Sequence, residues 1–288
     1  MAIRTWQGNG DSANPNDWGV AANWKEAAVP VNADEVFVRD SSVSILAGLD
    51  QSAVTLDTLN IEQSFTGLLG TATEFLQIAS TDVVIGEIKS TQVLTGSRRL
   101  NLDFKAGTTR IEIQNSANTP QDTGKAPIRL LVLDASCDLF ILGGFVNIAD
   151  EADQVSTLGD ISVSNSQAKV MVGSGVTFDN FIQFRGLGRL FSMPGTKVEC
   201  DAGTVTLFGT DVLALADIGA NGIIENNLSS NLTAADIFGF LDYSGSNFTT
   251  TLGTANLKIG GRIRADFART TITTLTKETS QEATLSLE

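Results

Sequence analysis

The chain has no histidine. That single absence excludes Ser-His-Asp and Cys-His nucleophilic catalysis, histidine-ligated zinc and imidazole acid–base chemistry. Gly10-Asp11-Ser12 has the outline of an esterase nucleophile block, but there is no base to activate it. Cysteine is scarce: Cys137 and Cys200 lie far apart in apolar runs and read as two buried thiols, not as a disulfide scaffold. Charged residues make up 18% of the chain, with 19 basic against 33 acidic and a net charge of −14. Such a field weakens binding to phosphate backbones. The only basic clusters, Arg98-Arg99 and Arg262 to Arg269, are too small for a nucleic-acid groove and read as strand-edge guards or subunit salt bridges. No apolar run approaches the roughly 18 residues of a spanning helix, and the opening Met-Ala-Ile-Arg lacks a basic stretch leading into an apolar one. The expectation is a protein made in a host cytoplasm, with no nucleic-acid partner and no membrane partner.

Short strands fill the chain. From about Val43 to Phe208, runs of alternating apolar residues are broken by turn residues; examples are Phe75-Leu-Gln-Ile78, Leu100-Asn-Leu-Asp-Phe104, Ile111-Glu-Ile113, Leu139-Phe-Ile-Leu142 and Val170-Met-Val172. Period 2 with β-branched enrichment predicts strands, and no 3.6 period is sustained. Between Asp160 and Gly209 the runs recur every seven or eight residues, separated by Gly173-Ser-Gly175, Gly186-Leu-Gly188, Pro194-Gly195 and Ala202-Gly203. Three short strands per turn predict a coil of roughly 20–25 residues, within the range of solenoid repeats. About seven such coils would give a rod near 35 Å long at one strand spacing per coil.

The fold expected is therefore all-β: a right-handed parallel β-helix, or solenoid, with a Trp-rich cap over residues 1–42, a β-helical body over 43–209 and a C-terminal β-rich region over 210–288. A β-sandwich or jelly roll is the alternative, since it also has short, evenly spaced strands. The coil is preferred because the runs are unusually short and Asn221-Gly222 is the one hairpin-type dipeptide. Two departures are predicted: a polar surface loop over 116–127, and short helical turns within Asp211–Asp217 and Asn231–Leu241.

Carboxylates are the only acid–base groups left, and Asp82, Asp103, Asp134, Asp138, Asp179, Asp201 and Asp211 all sit near apolar strands. A sugar-cleaving site would need two of them on neighbouring coils. No spacing picks out such a pair, so most read as turn aspartates bonding local backbone. Asp150-Glu151-Ala152-Asp153 offers oxygen ligands but lacks a calcium-loop pattern, and it reads as a solvated acidic loop. No cofactor or metal is expected.

All three tryptophans, Trp6, Trp18 and Trp24, lie in one opening segment that runs on through Pro30 to Asp34-Glu35-Val36. A surface aromatic could stack on a sugar. Three clustered rings followed by a proline and a strand read instead as a packed plug for the first coil, whose open end would otherwise expose core and strand edges. Tyr243 is the only tyrosine, so the body has little with which to stack on sugars.

The segment Trp6-x-Gly … Asn23-Trp24 … Val29-Pro30 … Ala33-Asp34-x-Val36-x-Val38 resembles the N-termini of tailed-phage and prophage proteins that lead into β-helical coils. The resemblance covers about 40 residues of the chain. It implies a non-enzymatic virion protein, such as a capsid decoration (cement) protein or head fibre, located in the virion. Its implied partners are itself, as a homotrimer, and the major capsid protein or other virion proteins. Trp6, Trp18, Trp24, Pro30 and Asp34 are the structural or interaction residues that it singles out. A tail-associated adhesin or tailspike that binds or cleaves host polysaccharide is the alternative function.

Overall fold

The structure is a computed structural model that describes residues 1–88, 99–116, 126–191, 197–266, 268–278 and 284–287. It is all-β, with parallel strands stacked as a solenoid of about 11 turns. Among the described residues every pairing between strands is parallel, and 21 strands belong to one continuous sheet. Among the described residues the only helical piece is a 3₁₀ turn, Ala21–Asn23.

One ladder begins with Ile3–Trp6 on Glu35–Val38 and climbs through Asp50–Ile61, Leu76–Ile88, Arg110–Ser116, Asp138–Ile141, Ile161–Val163 and Asn180–Gln183. A second runs through Leu100–Phe104, Ile128–Val132, Phe145–Ile148, Lys169–Val172 and Leu187–Leu190. A short third side pairs Ser156–Thr157 with Val176–Thr177. Some strands turn the corner without ending: Leu76–Ile88 and Lys197–Gly209 each serve both ladders, the latter with a register shift between Cys200 and Ala202.

Alternation decides what faces inward. Within Lys169–Val172 and Asn180–Gln183 every second side chain is buried, and the parallel register stacks these positions into columns. One column reads Val36, Leu59, Val83, Ile111, Leu139, Ile161, Phe181 and Val198, all wholly buried. Each further coil therefore adds apolar burial and a row of backbone hydrogen bonds together, which is what holds a solenoid together. Successive coils take from 17 residues (Phe181 to Val198) to 32 (Arg4 to Val36). The spread exceeds the range expected from the spacing.

Corners are where glycine is required. A Cβ on Gly203, whose φ is +88°, would lie 2.2 Å from the Gly186 carbonyl oxygen, and one on Gly222 would lie 1.9 Å from that of Cys200. Stacked turns approach one another more closely than any side chain allows.

Three expectations change. The stack extends beyond the body expected over 43–209, where the spacing predicts about seven coils: it has about 11 turns along the chain, for a length of ~50 Å at roughly 4.8 Å per rung. The ladder crosses position 210 without interruption, because Lys197–Gly209 pairs along Leu213–Leu228, which pairs in turn with Leu232–Ile237. The helical turns expected at Asp211–Asp217 and Asn231–Leu241 are instead the strands Leu213–Leu228, Leu232–Ile237 and Phe240–Asp242, since their inward positions register with the columns below. Residues 117–125 of the expected polar loop, Arg98 and the Pro194-Gly195 separator lie outside the described residues.

Candidate functional site

The opening segment closes the first coil. Among the described residues Ile3–Trp6 has Glu35–Val38 as its only strand partner, and the chain supplies its own cover on the far side. After Trp6 it loops out and returns, meeting Trp6 at Trp24 in an isolated antiparallel bridge and Ala47 at Asp17 in a parallel one. Trp6, Trp18 and Trp24 are almost completely buried and belong to the main core. Their rings meet edge to face: Trp6 and Trp24 at 5.3 Å and 76°, Trp18 and Trp24 at 4.7 Å and 79°. This geometry sets the positive rim of one ring against the negative face of the next. Trp6 Nε1 donates to the Val43 carbonyl oxygen at 3.0 Å, and Trp24 Nε1 to that of Trp18 at 2.8 Å. With no ring face open to solvent, these tryptophans are not a ligand platform.

Asn23 ties the loop together. Its Oδ1 accepts from the backbone N–H groups of Gly10 and Asp11, and its Nδ2 donates to the carbonyls of Asn14 and Asp17. Its own carbonyl accepts from Gln7 and Gly8. A wholly buried amide with every bond made is a positioning device for the loop. Asp34, also buried, fastens the first strand to the next turn: it accepts from the N–H of Ala2 at 2.9 Å, from Arg4 Nε at 3.0 Å and from the N–H of Val31 at 3.2 Å. Burial by itself would raise its pKa, but the Arg4 bond and the two backbone donors outweigh that and hold the carboxyl below the ordinary aspartate range. Pro30 is buried just before this turn. The five residues singled out by sequence are thus gathered in one buried cap.

An open surface feature borders this cap: its lining includes Ala47, Gly48 and Leu49, and Ala47 bridges to Asp17 of the plug. A groove of about 680 Å³ is floored by Asp50, Gln77, Asp103 and Leu131 and walled by Glu74, Phe75, Glu151, Asp153 and Gln154. The floor is one outward column, since Asp50 registers with Gln77 and Leu131 with Asp103 on neighbouring strands. The walls are held by Arg129, a residue that the sequence reading missed. It is 1% exposed, stacks its guanidinium 4.8 Å over the Phe75 ring, donates to the Ala72 carbonyl and pairs with Asp150 at 2.9 Å and with Glu151. One side chain therefore clamps the 72–75 turn to the 150–154 loop. Its only sequence signal is a lone arginine in the apolar run Ile128-Arg-Leu-Leu-Val132. Asp150 is consequently buried and ion-paired, which corrects the reading of 150–153 as a solvated acidic loop at that residue, while Glu151 and Asp153 are exposed.

Other candidates resolve into local roles. Asp134 accepts from Ser136 and from the Gly107 N–H, as a turn aspartate does, whereas Asp82 pairs with Arg110 and Asp103 with Lys105. Arg99 is neither an edge guard nor a subunit bridge: it is buried and donates to the carbonyls of Phe65 and Gly67. Arg264 and Arg269 pair within the chain, with Asp242 and Asp266. Cys137 and Cys200 are free and buried, and desolvation pushes their pKa values up to about 12 and about 11. Thiols so held are poor nucleophiles at neutral pH.

Fold and site together define a parallel β-solenoid whose first coil is sealed by an aromatic plug and whose flank carries an acidic groove. No family model, no curated protein and no solved structure matches this chain.

Proposed function

We propose that this protein is a non-enzymatic structural component of a virion, a capsid decoration or head-fibre protein that acts as an oligomer on the capsid surface. The observation that carries the reading is the sealed end: a rigid rod with its first coil plugged by Trp6, Trp18 and Trp24 is built to project and to be held. The phage-like motif that runs from Trp6 to Val38 falls on that plug. The reactive-group inventory supports it as well, since the chain has no histidine and both thiols are buried with raised pKa values. The test is to purify particles and measure the copy number of the protein against the major capsid protein. Hundreds of copies are expected; absence from washed particles overturns the reading, and a handful moves the protein to a tail or vertex.

One observation favours a second reading, a tail-associated protein that acts on host polysaccharide. Asp50 and Asp103 stand two rungs apart on the groove floor, ~10 Å along the rod, near the upper end of the separation used by inverting glycosidases. Asp50 is engaged by Ser52 and Asp103 by Lys105, which ranks this reading second.

A further inference from the structure

The groove on the 50–154 flank has a chemistry that the sealed end does not explain. Five of its lining residues are carboxylates, Asp50, Glu74, Asp103, Glu151 and Asp153, and no basic side chain lines it. Two nearby cations are already committed: Arg129 lies beneath the wall with Asp150 and Glu151, and Lys105 pairs with Asp103 Oδ2 at 2.6 Å. Asp103 is only 9% exposed, and its other oxygen, Oδ1, has no hydrogen-bond partner among the described residues. A buried carboxylate oxygen without a donor is costly unless a donor arrives. The groove walls are also pre-set, because the Arg129 clamp fixes both loops, so a ligand would bind without first ordering them.

We propose that this groove binds an extended, positively charged polypeptide segment of a partner protein, one that carries lysine or arginine side chains. The spread of the charges selects that occupant. Among the described residues no group of three or more carboxylates or thiols is arranged to hold a metal ion, so the negative charge is distributed along the groove and not focused on one point. Asp50 and Asp103 lie ~10 Å apart along the rod, with Gln77 between them as an amide for backbone or ammonium donors. Alternate side chains of an extended segment repeat every ~6.8 Å, and flexible lysine arms cover the difference. Phe75 and Leu131 give apolar surface for the aliphatic stems of such side chains. A neutral glycan would gain nothing from five negative charges, and an anionic one would be repelled. The proposal rests on the scaffold reading only for the source of the segment, a capsid or other virion protein; the selectivity of the groove for cations stands apart from it.

The test uses the full chain and a fluorescent decapeptide of alternating lysine and alanine, with binding followed by anisotropy at low and high salt. Glu74→Gln/Asp153→Asn neutralises two wall carboxylates that hold no described side-chain bond. Asp40→Asn/Asp179→Asn removes the same charge from exposed positions outside the groove. The groove pair is expected to weaken binding about tenfold and the control pair less than twofold, with high salt abolishing the difference. Equal weakening by both pairs would assign the attraction to the net charge of the rod and overturn the proposal. So would groove-dependent binding of a neutral probe, maltoheptaose, in place of the peptide. Neither result touches the particle copy number, so failure of the groove and failure of the scaffold reading are distinguishable.

Discussion

Trp24 donates its indole N–H to the carbonyl oxygen of Trp18 at 2.8 Å while its ring meets the Trp18 ring edge-on at 4.7 Å. Apolar packing and a backbone bond are thus combined at one contact, six residues apart in sequence. That contact makes the opening segment a plug and not a tail.

Trp24→Ala should destabilise the protein by ~3–5 kcal/mol, the usual cost of emptying a core site of this size. Trp24→Phe keeps a ring but loses the bond to Trp18, so it should cost less. Chemical denaturation of the two variants checks the order, and equal losses would show that the packed ring contributes nothing beyond the hydrogen bond.

Asp34 gives the cap an acid limit. Its folded-state pKa is depressed, so its contribution is present above the unfolded value near 3.8 and is lost as pH falls through the lower folded value. Asp34→Asn should therefore destabilise at pH 7, by ~1.5–3 kcal/mol for bonds to a charged acceptor, and the difference from wild type should shrink below about pH 4. Melting curves across pH 2–7 test the sign, about that reference value. A gap that widens in acid would refute it.

Arg129→Leu leaves Asp150 buried without its cation and should cost ~3–5 kcal/mol. Adding Asp150→Asn should recover part of that loss, because the stranded charge is then gone. The coupling in a double-mutant cycle measures the clamp. Limited proteolysis near 150–154 should speed up in the single variant.

Gly203 and Gly107 separate two uses of glycine. Both have positive φ, +88° and +98°, but a Cβ on Gly107 would have only ordinary contacts from 3.6 Å outward, whereas one on Gly203 would strike Gly186. Gly203→Ala should cost more than Gly107→Ala, and the latter ~1 kcal/mol from backbone strain alone. Similar losses would mean that the corner relaxes.

Much of the fold was legible because a solenoid is a local pattern repeated. Alternation in Leu100–Phe104 or Lys169–Val172 marks a strand, and closely spaced glycines mark corners. Leu213–Leu228 was harder to read. Asp211-Val-Leu-Ala-Leu-Ala-Asp217 has the composition of a helix, and only its pairing with Lys197–Gly209 and Leu232–Ile237 makes it a strand. Propensity yields there to the columns already stacked below.

The same division holds at the sites. Proximity in sequence let Trp6, Trp18, Trp24, Pro30 and Asp34 be read as one cap, since a chain of thirty residues with a strand at each end must fold over that end. The groove had no such signal. Asp50, Gln77, Asp103, Leu131 and Asp153 come from different coils, and nothing in their order along the chain relates them. Strand alternation, the corner glycines, the plugged end and the missing chemistry could be read from the sequence, because those are properties of short stretches and of composition. Only the tertiary structure decided which outward residues share a column and which loops Arg129 clamps together, because parallel register brings together residues some twenty or more positions apart.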